Sequence, residues 1–379
     1  MDPAIDQLHR ACAANPGIIG LAGGLPSPEL FPREALAESA SRALLREGEL
    51  ALQYAWPEGR ESLRAWIAAR LARRGVKVTA ADIVVTNGAQ EAISIAASML
   101  LDEGDPVCVD ALSYQGALDV FRARGARFAS HGERARCAYV MPALSNPGGL
   151  VADDATRRRW VEWALANDAL ILEDDAYSEL CFDAEAPSSL AARERDRVFQ
   201  IGTFSKTLAP GLRIGWLVAP PKLHPEALER KRVRDLQGNS FTQAVLDDFL
   251  ARDDFDARLE RSRRFYAERA DALLAAVKRH LPEARFRVPR GGFSLWLTLP
   301  ACGDDRELLA CAAREGVSFD PGSMFRTRNA MDEPIALRLC FSIEKVERFD
   351  DGCRALARAW RTWRSSRLTP VQTRTGSHG

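Results

Sequence analysis

Between residues 83 and 219 short apolar runs alternate with amphipathic stretches rich in Ala, Arg and Leu. Few folds accept that rhythm. The runs are too short for buried helices and read as strands, while the stretches between them read as helices, the pattern of an α/β protein with a largely parallel sheet. Candidate strands fall at 83–86, 106–110, 137–141, 169–173, 198–202 and 213–219, with candidate helices at 89–101, 114–124 and 154–167. Such a sheet places its functional loops at the carboxyl ends of the strands.

From 226 to 280 the pattern turns helical, with few Gly or Pro, until Leu281-Pro282 breaks it. Beyond the break lie shorter strands, including 292–299 and 335–341. The division expected is an N-terminal arm and small-domain segment (1–39), a large α/β domain (40–255), a connecting helix (256–281), a smaller α+β C-terminal domain (282–365) and a disordered polar tail (366–379). The first thirty residues read as an irregular arm that must pack on something. No internal repeat or low-complexity tract is present.

Composition bounds the partners. Fifty-two Lys and Arg cancel fifty-two Asp and Glu, so no overall field draws the chain to nucleic acid. No apolar stretch reaches the ~18 residues of a membrane span, and the first residues lack the basic-then-apolar design of a signal peptide. The eight cysteines form no CxxC pair, and several sit in apolar runs, as free thiols packed in a core do. These features favour a cytoplasmic enzyme acting on small molecules. His9, His131, His224, His280 and His378 are scattered, with no metal-ligand spacing, and no G-x-S-x-G is present, so a metal site and a serine hydrolase are both set aside.

The most informative stretch is residues 202–215, GTFSKTLAPGLRIG. A lone lysine after a strand is ordinarily a surface residue. Here Lys206 has Thr203 and Ser205 before it, a Pro-Gly turn after it and Arg213 seven residues on. Lys206 would face the crevice, while the two hydroxyls and the guanidinium converge on an anion. A second stretch is 173–177, EDDAY, at a strand end, where an Asp and a Tyr three apart can enter one crevice. In TNGAQ, 86–90, a glycine between strand and helix lets backbone approach a phosphate, with the amides of Ala89 and Gln90 opening the helix toward it. SNPGG, 145–149, can be a plain turn, and Arg338 in LRLCFS, 337–342, can be an edge or salt-bridge residue.

Together these segments resemble the class I/II aminotransferases of the pyridoxal-phosphate fold type I, from S-K-x-x-x-P-G-x-R-x-G at 205–215 outward over nearly the whole chain. The run GGLPSPELFP at 23–32 is closest in style to the 2-aminoadipate/kynurenine aminotransferase-like subgroup. The resemblance implies a mostly parallel seven-stranded sheet flanked by helices, with pyridoxal 5′-phosphate as cofactor. It implies that Lys206 holds the cofactor as a Schiff base and shuttles a proton. Asp174 would pair with the pyridine nitrogen and Tyr177 with the ring O3′, Asp175 being the rival for the first role. Gly88, Ala89, Gln90, Thr203, Ser205 and Arg213 would hold the phosphate end, and Tyr114 would stack on the ring. Asn146 would reach O3′ and the substrate; Gly148 stands where the family has a hydroxyl residue, which alters the loop and not the asparagine. Gly24 and Arg338 would meet the substrate, Arg338 pairing with its α-carboxylate. Tyr54 would reach the phosphate of a neighbouring subunit, which requires a homodimer.

The activity so implied is transamination between an L-α-amino acid and a 2-oxo acid by a ping-pong route. An oxidase, decarboxylase or lyase on the same cofactor would need the same Lys206, Asp174 and Arg213. A ligand-sensing module fused to a DNA-binding domain is not expected, because only 22 residues precede Gly23 and net charge is zero. In the subgroup an arginine of the N-terminal arm can meet a side-chain carboxylate. That place falls near Gln7 here, with His9 and Arg10 close by, so an acidic donor is not expected unless Arg10 swings in.

Overall fold

Every apolar run between residues 83 and 219 becomes a strand of one sheet. A computed structural model describes residues 3–130, 132–182, 187–328 and 332–368. In chain order the elements are α1 (Pro3–Ala14), β1 (Ile19–Leu21), α2 (Arg33–Leu52), α3 (Glu61–Ala72), β2 (Val84–Thr86), α4 (Ala89–Leu100), β3 (Pro106–Val109), α5 (Gln115–Ala123), β4 (Arg127–Ala129), β5 (Cys137–Val140), α6 (Asp154–Ala166), β6 (Leu170–Asp174), β7 (Val198–Thr203) and β8 (Gly215–Val218). Then follow α7 (His224–Asp235), α8 (Ser240–Leu250), α9 (Phe255–His280), β9 (Arg285–Phe286), β10 (Ser294–Cys302), α10 (Asp305–Arg314), β11 (Val317–Pro321), β12 (Pro334–Cys340) and α11 (Phe349–Leu368).

The large sheet has seven strands in the order β2-β8-β7-β6-β5-β3-β4. All its pairings are parallel except those of β8, which runs antiparallel to both β2 and β7. Every residue of β5 and β7 is buried, as strands covered on both faces by helices must be. Gln200 is a polar residue at the middle of β7: its side-chain carbonyl accepts from Trp216 Nε1 at 2.9 Å and its amide donates to Asp175 at 3.3 Å. The seventh strand, β4, has only three residues and an exposed Arg127, so it lacks the apolar run that marks the others.

Two expectations need correction. The first thirty residues are not an irregular arm: α1 is followed by β1, which pairs in parallel with β11 through Ile19↔Val317 and Leu21↔Phe319. Ile19 and Leu21 are the buried residues of β1, and that alternation suits a sheet edge. At the other end α11 continues through residue 368, with Trp360 and Trp363 stacked at 5.5 Å and the Arg367 guanidinium 4.4 Å above the Trp363 ring. Residues 369–379 of the expected tail lie outside the described residues.

The helical stretch 226–280 holds three helices, α7, α8 and α9, of which α9 covers the segment read as a connecting helix. Leu236 adopts φ +64°, Asn239 then caps α8 by accepting from Thr242 N at 2.8 Å, and Asp254 caps α9 by accepting from Ala257 N at 3.0 Å. The second sheet, β1-β11-β12-β10-β9, is antiparallel apart from the β1–β11 pair. It brings Arg338 of β12 and the Gly23-Gly24 turn after β1 to the carboxyl ends of the large sheet.

Candidate active site

The site is assembled at the strand ends that the doubly covered sheet leaves open. Asp174 closes β6, Thr203 closes β7, and the turn after β2 leads through Gly88 into α4. Asp174 and Thr203, together with Ala89, Gln90, Tyr114, Asn146, Tyr177, Ser205, Lys206 and Arg213, line a cavity of about 140 Å³.

Lys206 sits just beyond β7, its ammonium 5.5 Å from the Tyr177 ring centre and 5.9 Å from that of Phe293. Its Nζ donates to the Gly24 carbonyl at 3.4 Å. Burial and the nearby Arg338 charge hold its pKa down to about 8. A lysine so placed is largely neutral in mild base, which a nucleophilic amine requires.

Asp174 is buried, and Tyr139 donates to its Oδ2 at 2.7 Å while the Ala176 amide donates to Oδ1 at 3.1 Å. Burial raises its pKa, and these two donors oppose the rise. Its neighbour Asp175 turns away into an ion pair with the buried Arg74, so Asp174 is the carboxylate that faces the cavity. Tyr177 packs edge-on against Phe293 at 5.4 Å, and burial raises its phenol pKa. Tyr114 contacts Gln90 Oε1 through its hydroxyl at 3.3 Å, and burial pushes its pKa up to about 12.

At the opposite end of the cavity the groups suit an anion. Gly88 holds φ +78°, and a Cβ there would lie 2.6 Å from Arg213 Nη2, so only glycine fits. Arg213 itself adopts the left-handed conformation, φ +54°, at the end of the Pro210–Leu212 turn. That backbone state costs a non-glycine residue about 1 kcal/mol or more. It turns the guanidinium back to donate to the Asn87 carbonyl at 2.7 Å. Thr203 Oγ1 lies 2.9 Å from Ser205 Oγ and accepts from the Ser205 amide at 3.1 Å. Gly215 packs so closely that a Cβ would meet the Ala89 nitrogen at 2.8 Å, fixing the start of α4 against β8.

The second sheet meets the cavity lining at Asn146. Arg338 donates through Nε and Nη2 to Asp320 at 2.9 and 2.7 Å, and through Nη1 to Asn146 Oδ1 at 2.9 Å. Phe325 lies under the guanidinium, 4.6 Å from its centre, and Gly24 packs against its nitrogens. Asp320 also accepts from the Gly23 amide at 3.0 Å. Sequence reasoning missed Tyr139, Phe293 and Asp320. Tyr139 and Phe293 sit in apolar runs, where an aromatic looks like core, and Asp320 becomes visible only through strand register.

Tyr54 is not brought to the cavity. It stands on the surface after α2, 78% exposed beside a 77% exposed Trp56. Gln7 is exposed, and Arg10, also exposed, pairs with Asp6 at 2.8 Å.

The residues fit pyridoxal phosphate by shape and charge: a buried carboxylate at one end, an anion cradle of glycine, hydroxyls and arginine at the other, and a depressed lysine between. Comparison with known proteins agrees. The chain is 37% identical over 91% of its length to a 2-aminoadipate transaminase of Thermus thermophilus, covering 90% of that protein. It is 31% identical over 90% of its length to an aromatic-amino-acid aminotransferase of Thermococcus litoralis, covering 87% of it. Its fold superposes with TM-score 0.87 and 34% identity on an α-aminoadipate aminotransferase of Thermus thermophilus, solved with N-(5′-phosphopyridoxyl)-L-leucine, over 95% of each chain. The model of the aminotransferase class I and II family matches residues 16–356, so the chain belongs to that family and is a pyridoxal-phosphate-dependent aminotransferase.

Proposed function

We propose that this aminotransferase moves the amino group of an L-α-amino acid with a neutral side chain to a 2-oxo acid, working as a homodimer with the roles below. The observation that carries the reading is the placing of Lys206, Asp174 and Arg213 around one cavity.

When bound, the cofactor supplies an electron-withdrawing ring that stabilises negative charge at the substrate Cα. The protein's part is to hold and orient. Arg213, Thr203, Ser205 and the amides opening α4 grip the phosphate, with Gly88 admitting it. Asp174 keeps a proton on the pyridine nitrogen, and the Tyr139 hydroxyl fixes that carboxylate in place. Tyr177 and Asn146 address the phenolic oxygen, while Tyr114 covers one ring face. Lys206 Nζ would be the amine that holds the cofactor, and the same amine, when free, would be the base that carries a proton to and from the substrate Cα. Arg338 orients the α-carboxylate, aided by Asn146 and by the Gly24 turn.

The neutral side chain is supported by the arm. Arg10 pairs with Asp6 on the surface instead of pointing at the cavity. Dimerisation is supported by a band of exposed apolar side chains: Leu45, Leu50, Leu52, Tyr54, Trp56 and Val233, each 70% or more exposed. Tyr54 supplied across that interface would complete the phosphate site. The eight cysteines are all free, which suits a reducing, cytoplasmic setting.

The test is a single-turnover absorbance scan against a panel of L-amino acids, run with and without oxygen. Anaerobic loss of the lysine-bound cofactor's visible band, restored by a 2-oxo acid, is expected and names the donor. Dependence on oxygen, or release of carbon dioxide, would overturn the reading while leaving the fold intact.

A further inference from the structure

Beside the anion cradle lies a charged cluster that lines no part of the cavity. Lys231 of α7 is fully buried, and its Nζ donates to Glu91 Oε2 at 2.8 Å and to Asp235 Oδ2 at 2.5 Å. A wholly buried ammonium persists only where partners satisfy it, and both partners here have a second task. Glu91 Oε2 accepts from the Asn87 amide at 2.7 Å, and Asp235 Oδ2 accepts from Asn87 Nδ2 at 2.7 Å. The Asn87 carbonyl in turn accepts from Arg213 Nη2. Asn87 is therefore tied at its N–H, its side chain and its C=O, and the residue after it is Gly88.

That arrangement raises an electrostatic problem. The two carboxylates that fix Asn87 stand next to amides that must receive a doubly charged phosphate, and like charges at such range repel in a poorly screened interior. Arg234 contributes little relief, since it is 46% exposed and 3.7 Å from Glu91. Lys231, held between both carboxylates, offsets one of their two negative charges from a position that solvent does not reach.

We propose that Lys231 is a positioning residue for the cofactor phosphate: by offsetting one of the two negative charges of Glu91 and Asp235 it lets them lock Asn87, and through it Gly88 and Arg213, with less negative charge behind the cradle. This rests on the reading of Gly88–Gln90 and Arg213 as the groups that hold the phosphate.

The test titrates cofactor-free dimer with pyridoxal 5′-phosphate and, separately, with pyridoxal, which lacks the phosphate, following protein fluorescence. For Lys231→Met the affinity for pyridoxal phosphate is expected to fall by about tenfold or more, while that for pyridoxal moves by less than about twofold. Equal weakening of both ligands, as a merely structural role would give, overturns the proposal, and so does no weakening of either. Should Lys231→Met fail to fold, Asn87→Ala decides, because it cuts only the tie to Asp235. A phosphate-selective loss of about threefold upholds the proposal and an unselective result overturns it. A wild-type protein that binds the two ligands equally would instead sink the phosphate-cradle reading beneath it.

Discussion

Asp320 and Arg338 are register partners across β11 and β12, and two nitrogens of Arg338 donate to a single oxygen of Asp320. Both side chains are buried, 2% and 9% exposed. Truncating one member leaves the other as an uncompensated charge. Asp320→Ala is therefore expected to destabilise the protein by about 3–5 kcal/mol, and Asp320→Asn by less. Urea unfolding reads this directly, and an unmoved midpoint for Asp320→Ala would show that the pair is not held as described.

Arg338→Lys keeps the charge but loses the planar fork. Its expected signature is a fall in kcat/KM for amino acids of roughly 10²-fold, from about 2–4 kcal/mol of lost charge-assisted bonding. Binding of the cofactor should change little, since Arg338 bonds Asp320 and Asn146 and none of the groups around Gly88 and Arg213. Stopped-flow kinetics beside a cofactor titration separates the two, and undiminished kcat/KM would remove Arg338 from the carboxylate role.

Lys206 gives a pH prediction for the cofactor-free protein. Its folded pKa is held near 8, below the ordinary 10.5, so the unfolded chain binds more protons between those values. Stability from this group therefore rises with pH across roughly 8 to 10.5, and below pH 8 the charged lysine exerts its full penalty. The cofactor-free Lys206→Met protein should be more stable than wild type at pH 7, by up to about 3 kcal/mol, with the gap closing as pH approaches 10.5. Thermal melts over that range would show it; a gap independent of pH would mean the amine is not desolvated. The same variant should lack the visible band of lysine-bound cofactor at every pH.

The exposed apolar band on and just after α2 gives a fourth test. Trp56→Lys combined with Leu45→Lys should shift the protein from dimer to monomer in sedimentation at micromolar concentration. If Tyr54 completes the phosphate site across that interface, the monomer should also bind pyridoxal phosphate more weakly. A stable dimer of the double variant would place the interface elsewhere.

Legibility in the sequence followed how local each device is. Lys206 and Arg213 share one strand-turn-strand segment, so their spacing carried the reading. Asp174 and Tyr177 share one strand end in the same way. The spacing to Tyr177 favoured Asp174 over Asp175; what the spacing could not show is the partner of Asp175, Arg74, which lies just beyond α3 and about a hundred residues earlier in the chain. Tyr139 belongs to a fully buried strand, where its hydroxyl could not be told from core without seeing Asp174 beside it. Helix α2 went unassigned because it leaves Leu44, Leu45 and Leu50 in solvent, which blurs the apolar stripe that marks a packed helix. The strand β1 is three residues long, and its partner lies far along the chain.

That last pairing has a consequence for synthesis. Ile19 and Val317, which begin the β1–β11 register, are nearly three hundred residues apart, and the Gly23-Gly24 turn that touches Asp320, Arg338 and Lys206 hangs from β1. While the chain is still emerging from the ribosome, its first segment waits without the strand it will pair with. A nascent polypeptide stalled short of residue 317 can lay down the large sheet, Lys206 included, but it cannot close the substrate wall. Closure of that wall thus waits on β11 and β12, made more than a hundred residues after Lys206, and a chain stopped before Arg338 lacks it.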